Sequence, residues 1–273
     1  MQIRTIYFSS ILKQRFPQIS NQLEAILTTH DIAFGYLENT KDIWARDYMP
    51  IITQRDNVVK YIYDPDYLKS KQWHALKTNL NQVRIENKGI EVDTELRLVL
   101  DGGNFLKYNN KALMSDKIYQ ENFSLSKQDI NEKIKIYFDV EELIVIPKQP
   151  YEMTGHIDGM MRWIDERTIL VNDFSISSRA YVKKLYKAIA GAQLNTVQMS
   201  YSKGFYTKTR NWGAYINYLM IGRLLIVPLH DISEDEKVLK FLSDVFRDYK
   251  VIGLSLNDII SEGGALNCIS CEY

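Results

Sequence analysis

A cysteine near the end of the chain and a histidine in its middle form the first candidate pair for chemistry. Cys268 follows a Gly-Gly pair and a short apolar stretch, and His156 alone among the four histidines lies in a Gly-His-x-Asp loop. A thiolate is a strong nucleophile, but a free cysteine is mostly protonated at neutral pH and needs a neighbouring base or positive charge. The pair therefore predicts a cysteine nucleophile with a histidine acid–base partner. The alternative is an inert buried cysteine and a structural histidine.

Three carboxylates form a second candidate group. Asp47, Asp101 and Asp158 each lie in a predicted loop after a strand, where α/β proteins place binding groups. Two or more of them in one pocket would suit a guanidinium, because its N–H fork pairs with carboxylates in bidentate fashion. Arg46 and Arg162 leave the alternative that these carboxylates are partners in structural ion pairs.

The Cys-x-x-Cys spacing at the C-terminus suggests two further kinds of site. A thioredoxin-like redox pair should open a helix, but only Glu272 and Tyr273 follow Cys271. A zinc site would need two more ligands, and no second cluster of cysteine or histidine supplies them. No metal site is therefore predicted, and Cys271 is expected to be a small packed residue.

Length, charge and cysteine content limit the class of protein. The 273 residues suffice for one large domain or two small ones, and the formal net charge is zero. The scattered lysines and arginines argue against nucleic acid or an anionic membrane as the main partner. The apolar run 215–229 is interrupted by Asn217, Arg223 and Pro228, so it is no membrane span. The lack of a signal-peptide layout and the low cysteine content favour a soluble, cytoplasmic protein.

Predicted strands and helices alternate along the chain, which is typical of the α/β class. A polar loop is predicted at 39–50, and 66–88 has no assignment. Helices are predicted at 9–29 with a break at Pro17, 126–133, 178–189 and from the capping-box sequence Ser233-Glu-Asp-Glu236. Strands are predicted at 32–37, 58–63, 96–100, 143–146, 168–171, 196–199, within 215–227 and at 251–254.

One short sequence occurs twice. Asp101-Gly-Gly-Asn and Glu262-Gly-Gly-Ala both follow a buried apolar run, so the same tight backbone turn is predicted at both positions. Repeats of roughly fifty residues would imply a ring or stack of similar α/β units.

Five segments together carry a resemblance to a known family. They are Asp42-Ile-Trp-Ala-Arg-Asp-Tyr-Met-Pro50, Asp101-Gly-Gly-Asn104, Gly155-His-Ile-Asp-Gly-Met-Met-Arg-Trp163, Tyr215-Ile-Asn-Tyr218 and Glu262-Gly-Gly-Ala-Leu-Asn-Cys268. In these segments, from Asp42 to the C-terminus, the chain resembles the agmatine deiminase and bacterial-type peptidylarginine deiminase family of guanidine-modifying enzymes. Each segment alone is a modest match, but five in the family's order are specific.

The resemblance implies a fold and a reaction. The fold is the pentein, a five-bladed α/β propeller with pseudo-five-fold repeats around a central active site, here as one catalytic domain over 1–273. The catalytic residues implied are Cys268, His156, Asp158 and Asp47. Cys268 attacks the guanidinium carbon, Asp47 and Asp158 hold its nitrogens, and His156 protonates the departing ammonia and later activates water. No metal or organic cofactor is implied.

The resemblance also implies residues that bind the substrate. Trp44 is expected to form an apolar wall beside the guanidinium and Asn217 a polar contact, with Asp101 and Arg162 as further substrate-binding residues. The chain departs from the family pattern at two positions. Members usually have Glu where this chain has Asp101, and commonly His where it has Asn267, beside the nucleophile.

The function implied is hydrolytic deimination of a small cationic guanidino compound, with release of ammonia and a ureido product. Agmatine is the first-choice substrate, and its product N-carbamoylputrescine would serve putrescine biosynthesis. The alternatives are a peptidyl- or free-arginine deiminase, an amidinotransferase that uses the same cysteine chemistry, and a guanidine-binding protein without activity. No nucleic-acid or membrane partner is expected, and a homodimer is left open.

Overall fold

The computed structural model describes residues 5–150, 152–202, 205 and 213–273. The strands are β1 (Ile6–Ser9), β2 (Phe34–Leu37), β3 (Ile51–Ile52), β4 (Val58–Ile62), β5 (Arg84–Ile85), β6 (Lys88–Gly89), β7 (Thr94–Val99), β8 (Leu106–Tyr108), β9 (Lys111–Ser115), β10 (Glu142–Ile146), β11 (Met161–Trp163), β12 (Thr168–Val171), β13 (Asn195–Gln198), β14 (Leu219–Ile221), β15 (Leu224–Leu229), β16 (Lys250–Ser255) and β17 (Ser270–Glu272). The α-helices are α1 (Ser10–Arg15), α2 (Pro17–Thr29), α3 (Ala45–Tyr48), α4 (Lys117–Glu121), α5 (Lys127–Phe138), α6 (Arg179–Gly191), α7 (Glu234–Val245) and α8 (Asn257–Ile260).

One sheet motif occurs five times in the described part of the chain. Each copy has three strands, and its middle strand pairs antiparallel with one edge strand and parallel with the other. The five orders are β17-β1-β2, β3-β4-β7, β8-β9-β10, β11-β12-β13 and β14-β15-β16. Parallel neighbours need a crossover connection. In four copies that crossover contains a helix of 12 or 13 residues: α2, α5, α6 or α7.

The fifth crossover, between β4 and β7, is the segment that the sequence left without an assignment. It contains 3-10 turns at Asp66–Leu68, His74–Leu76 and Leu80–Gln82, followed by the β5–β6 hairpin. Short turns of this kind lack a long amphipathic stripe, which explains why periodicity did not reveal them.

The principal helices largely follow their predicted positions. Pro17 occupies the first turn of α2, where its missing N–H costs nothing, so the predicted break between α1 and α2 is confirmed. The side chain of Ser178 caps α6, and that of Ser126 caps α5. Helix α5 continues beyond the predicted end at 133 to Phe138, because the apolar stripe continues at four-residue spacing with buried side chains.

The predicted capping box at Ser233 is wrong, although helix α7 is present. Ser233 has helical dihedral angles, and its side chain makes no capping hydrogen bond. Asp235 instead accepts hydrogen bonds from the backbone N–H groups of His230 and Ile232. The turn before α7 is therefore held by a buried carboxylate within the helix.

Two further local predictions need correction. The predicted polar loop at 39–50 contains the short helix α3. Residues 215–217, predicted within a strand, lie in a turn, and the strands β14 and β15 follow it. In both places the corrected segment lies just before an edge strand, β3 or β14.

The two acidic-Gly-Gly sequences do not form the same turn. After Asp101, which is extended, Gly102–Asn104 forms a 3-10 turn. Gly263 instead has a φ of 107°, a region that favours glycine. The prediction of one turn used twice is therefore wrong, although each sequence leads into the antiparallel edge strand of a sheet, β8 or β17.

The chain folds into two compact units, each with its own core. Unit 1 comprises 1–46, 78–90 and 200–273, and unit 2 comprises 47–77 and 91–199. Leu12 and Leu23 belong to the core of unit 1, while unit 2 has one buried cluster around Leu185 and another around Ile134. The single catalytic domain over 1–273 stays a prediction. No helix in the described ranges combines the length and apolar character needed to cross a membrane.

Candidate active site

The predicted site residues other than Arg162 lie on equivalent connections between the five sheet motifs. Each connection runs from the parallel edge strand of one sheet to the antiparallel edge strand of the next in chain order. Asp47, Asp101, Asp158, Asn217 and Cys268 precede β3, β8, β11, β14 and β17, respectively. Loops carried on a rigid scaffold are where α/β proteins place catalytic and binding groups. The repeat therefore provides five such positions, and the predicted residues occupy all of them.

His156 lies between two carboxylates in unit 2. Its Nε2 atom is 2.9 Å from Oδ2 of Asp101, and its Nδ1 atom is 3.5 Å from Oδ1 of Asp47. The exposed fraction is 5% for His156, 5% for Asp47 and 0% for Asp101. An imidazole with an acceptor near each ring nitrogen can hold a proton and transfer it to a third group.

Gly103 marks the point where these side chains meet. Its N–H donates a 3.0 Å hydrogen bond to Oδ1 of Asp47. A Cβ atom at Gly103 would lie 2.7 Å from Nδ1 of His156, 2.8 Å from Oδ1 of Asp47 and 3.3 Å from Oδ2 of Asp158. The structure thus brings together four of the five site residues predicted in unit 2, all but Arg162, and leaves no room for a side chain at Gly103.

Burial and mutual charge set the protonation of this cluster. Burial raises the pKa of Asp47 to about 7; the charge of His156 opposes this rise, while Asp101 and Asp158 add to it. Burial alone would lower the pKa of His156, but Asp47 and Asp101 outweigh it and raise the pKa to about 9. Burial alone would raise the pKa of Asp101, but His156 and Lys117 hold it below its usual value. At neutral pH the cluster therefore contains an imidazolium beside an ionised Asp101.

This arrangement suits a planar cation with several N–H donors. Carboxylates such as Asp47 and Asp158 accept charge-assisted hydrogen bonds from such a group. The imidazolium of His156 can protonate a leaving nitrogen and then, once neutral, act as a base. Over the described residues, no group of three or more His, Cys, Asp or Glu side chains is arranged to hold a metal ion.

Sequence reasoning missed Lys117, Glu121 and Tyr67. Nζ of Lys117 is 2.5 Å from Oδ2 of Asp101 and 2.7 Å from Oε1 of Glu121, and the side chain of Lys117 is 1% exposed. The ring of Tyr67 meets that of His156 edge to face at 6.1 Å between centroids. The four-residue spacing of Lys117 and Glu121 was visible in the sequence, but most such pairs are exposed and contribute little.

The backbone around Cys268, in unit 1, is held by Asn217 and Arg46. The N–H of Cys268 donates to Oδ1 of Asn217 at 3.2 Å, and the N–H of Asn267 donates to the carbonyl of Asn217 at 3.0 Å. The N–H of Arg46 donates to the carbonyl of Cys268 at 3.0 Å, and Nε of Arg46 donates to that of Asn267 at 3.3 Å. The side chain of Asn217 therefore orients the cysteine loop, and its expected contact with substrate stays a prediction.

Trp44 packs on the same loop. A Cβ atom at Gly264 would lie 2.4 Å from Cζ3 of Trp44, so the indole ring lies directly against the glycine backbone. The N–H of Trp44 donates to Oδ1 of Asp42 at 2.9 Å, which fixes the start of this turn. Gly264 is thus required for the close approach of an aromatic ring rather than for its dihedral angles.

Two predicted residues lie in strands. Arg162 is in β11, opposite Leu170, and is partly buried; its role in substrate binding stays a prediction. Cys271 is in β17 and is buried, with Sγ 3.7 Å from the carbonyl oxygen of Tyr7. Burial raises the pKa of its thiol to about 12, and Cys268 and Cys271 are not joined by a disulfide. The prediction that Cys271 is a packed residue is confirmed.

Comparison with known proteins supports these observations. The family model of the Porphyromonas-type peptidyl-arginine deiminases matches residues 12–273. A relative from Latilactobacillus sakei, named "Putative agmatine deiminase", is 25% identical over 279 residues, with 85% of this chain and 75% of the relative covered. A Marinomonas relative of the same name is 27% identical over 175 residues, which cover 54% of this chain but only 47% of the relative.

A solved structure shares the fold. The C315S agmatine deiminase of C. jejuni with substrate bound has a TM-score of 0.74 at 18% identity, over 98% of this chain and 92% of that one. Likeness at this identity shows the fold alone, and it confirms the predicted pentein fold. The family match over nearly the whole sequence establishes that the chain belongs to the Porphyromonas-type peptidyl-arginine deiminase family, whose agmatine and arginine deiminases act on guanidino C–N bonds.

Proposed function

We propose that this protein is a guanidine deiminase that hydrolyses a small guanidino compound to ammonia and a ureido product. The observation that carries the proposal is the buried imidazole of His156, with Asp101 and Asp47 at its two nitrogens. Such an imidazole can donate a proton to a leaving nitrogen and later accept one from water, and deimination needs both transfers. The family match supports the same reaction class.

In the first half of the reaction, the thiolate of Cys268 forms a bond to the guanidinium carbon. Asp47 and Asp158 accept hydrogen bonds from the guanidinium nitrogens and orient that carbon. The protonated His156 gives its proton to one terminal nitrogen, the C–N bond breaks, and ammonia leaves. The product of this half is an S-alkylthiouronium on Cys268, still joined to the rest of the substrate.

In the second half, a water molecule replaces the sulfur. His156, now neutral, takes a proton from the water as its oxygen bonds to the thiouronium carbon. The C–S bond then breaks and releases the ureido product and the thiolate of Cys268. The second proton of the water is released as the C–S bond breaks, and it converts the ammonia to ammonium. His156 therefore ends protonated, as it began, and the cycle balances in protons and needs no oxidant or reductant.

Agmatine is the substrate we propose first, because two relatives are named putative agmatine deiminases and a solved structure of the same fold is named an agmatine deiminase. Free arginine and arginyl peptides are the alternatives within the same reaction. The rate of ammonia release ranks these candidate substrates when each is tested at the same concentration. The compounds to test are agmatine, free arginine, methylated arginines and arginyl peptides. The cytoplasm remains the location expected from the sequence.

The covalent intermediate provides the sharpest test. Protein mixed with agmatine is quenched in acid, and its intact mass is measured. Deimination predicts an adduct with the mass of agmatine minus ammonia, located on Cys268. An amidinotransferase would instead lose the diamine and keep only a bare amidino group, because the other C–N bond breaks.

Two cysteine variants complete this test. Cys268→Ala should form no adduct and lose ammonia release by at least about a thousandfold, as expected for loss of a nucleophile. Cys271→Ala is the matched control, because that thiol is buried in β17, and it should retain turnover. Ammonia release by Cys268→Ala at the wild-type rate would contradict the proposal. If wild-type protein binds agmatine without releasing ammonia, the protein binds guanidines without deiminating them.

A further inference from the structure

Lys117 is a buried cation next to the proposed acid–base cluster of unit 2. It lies at the start of α4, directly after β9, and its side chain is 1% exposed. Removing an ammonium from water is strongly unfavourable unless ionised partners compensate. Nζ of Lys117 has three carboxylates within 4 Å: Asp101 at 2.5 Å, Glu121 at 2.7 Å and the more exposed Asp66 at 3.5 Å.

The same oxygen of Asp101 serves both Lys117 and His156. Oδ2 of Asp101 accepts from Nζ of Lys117 at 2.5 Å and lies 2.9 Å from Nε2 of His156. The other oxygen, Oδ1, is buried and has no hydrogen-bond partner among the described residues. A carboxylate bonded only to His156 could rotate about its Cβ–Cγ bond and offer either oxygen. The second bond, to Lys117, fixes which oxygen faces the imidazole.

The charge of Lys117 also opposes the carboxylates around His156. Asp47 and Asp101 favour the imidazolium, whereas Lys117 disfavours it. In the proposed reaction His156 must give up its proton and then take one from water, so an imidazole held too firmly as a cation would turn over slowly. The positive charge of Lys117 therefore makes it easier for His156 to release its proton.

We propose that Lys117 is a positioning residue for deimination: its ammonium fixes Oδ2 of Asp101, and Asp101 in turn holds His156 in the orientation that proton transfer requires. This inference rests on the proposed function. Lys117 acts through Asp101, so its loss should affect the chemical step more than the binding of substrate.

The groups around the two residues define which variants are informative. Both face Asp101 and the ring of Tyr67, and the aliphatic parts of Lys117 and Lys148 each lie close to Gly155. The remaining charged neighbours are Asp66 and Glu121 for Lys117, and Asp47 and Asp158 for His156.

The test compares Lys117→Met, Lys117→Arg and the matched control Glu121→Gln. The methionine variant removes the charge with little change in length. We expect its kcat to fall about tenfold or more and its KM to change much less. The titration of His156, followed by NMR and assigned from the signal missing in His156→Asn, should move to higher pH because a neighbouring positive charge is gone. The alkaline limb of the kcat profile should move in the same direction.

The other two variants separate positioning from simple packing. Lys117→Arg restores the charge and should return the His156 titration toward that of the wild type and recover part of kcat. Glu121→Gln removes one partner of Lys117 but keeps the bond to Asp101, so its His156 titration should remain near the wild-type position. If Lys117→Met does not fold, Lys117→Gln gives the same comparison.

A charge-free variant with the wild-type kcat and an unmoved His156 titration would overturn the proposal. So would an equal loss of kcat in the methionine and arginine variants without any titration shift, because that pattern indicates packing alone. The NMR titration needs no substrate. If wild-type protein releases no ammonia from any guanidino compound, the proposed function fails, while the titration still decides whether Lys117 controls His156.

Discussion

At the residue scale, Asp47 is a buried carboxyl group whose pKa lies near neutral pH. Burial raises the pKa of Asp47 to about 7, against the opposing charge of His156 and with a further rise from Asp101 and Asp158. Because Asp47 and His156 lie 3.5 Å apart, their protons are lost as a coupled pair. Only the ionised form of Asp47 attracts a guanidinium, so binding should depend on pH in a range where most carboxylates are already charged.

This dependence can be measured without turnover. Agmatine binding to Cys268→Ala, followed by calorimetry from about pH 6 to pH 8, should strengthen as pH rises toward 7 and then level off. The affinity should fall by up to about tenfold for each pH unit below the pKa of Asp47. Asp47→Asn should bind weakly with little pH dependence.

Asp158→Asn is the control for this experiment. It removes a negative neighbour that raises the pKa of Asp47, so binding should weaken while the midpoint of the pH dependence moves lower. A pH-independent affinity in Cys268→Ala would show that Asp47 is already fully ionised, contrary to this prediction.

At the scale of elements, the second glycine of each acidic-Gly-Gly sequence serves close packing. A Cβ atom at Gly103 would meet His156 and Asp47, and one at Gly264 would meet Trp44. The backbones differ, since Gly102–Asn104 forms a 3-10 turn while Gly263 has a φ of 107°. The shared feature is therefore a predicted site residue whose side chain lies directly against the glycine backbone.

Adjacent glycine variants separate close packing from backbone strain. Gly264→Ala should push the indole of Trp44 aside, cost about 1–3 kcal/mol of stability through overpacking, and raise KM for agmatine if Trp44 is a wall of the substrate site. Gly263→Ala should cost a similar or smaller amount through its positive φ. Among the described residues, no atom other than those of the flanking residues lies within 4 Å of its new methyl group, so KM should not change.

The measurements for this pair are thermal unfolding and the fluorescence of Trp44. The protein has four tryptophans, so the contribution of Trp44 is taken as the difference from Trp44→Phe. Equal changes in Trp44 fluorescence for the two alanine variants would mean that loop strain, not contact with the ring, controls the position of Trp44.

At the scale of the whole molecule, the buried histidines make stability depend on pH in opposite directions. The pKa of His156 is raised from 6.5 to about 9 because Asp47 and Asp101 outweigh the effect of burial. Folding therefore favours protonated His156, and the stability it contributes is fully present below about pH 6.5 and lost as pH rises through about 9. Burial instead lowers the pKa of His230, against the weaker effects of Asp235 and Asp231, so its contribution is lost as pH falls.

Urea unfolding at about pH 6.5 and about pH 9.5 tests this sign. Between these pH values, the wild type should lose up to about 3 kcal/mol more stability than His156→Asn, since the interval from 6.5 to about 9 corresponds to that free energy. His230→Asn is the control and should follow the wild type over this range. A larger loss in His156→Asn than in the wild type would contradict the raised pKa.

Much of the architecture was accessible from the sequence, because it depends on local periodicity. Apolar residues at helical spacing predicted α2, α6 and α7, and short apolar runs indicated most of the sheet strands. The wrong local predictions occur where one short sequence pattern is compatible with more than one local structure. Ser233 has the residues of a capping box but makes no cap, because Asp235 bonds the turn before the helix.

The sequence by itself determined the chemical types available: one cysteine after a glycine pair, one histidine in a Gly-His-x-Asp loop, and aspartates in the loops between strands. The five segments that contain these residues carry the resemblance to the family, and the resemblance implies the reaction. Only the tertiary structure decided that Asp47, Asp101 and Asp158 gather around His156 in unit 2, and that Lys117 bonds the same oxygen of Asp101. The physical reason is that burial and charge pairing depend on distances between residues far apart in the chain, which local spacing does not encode.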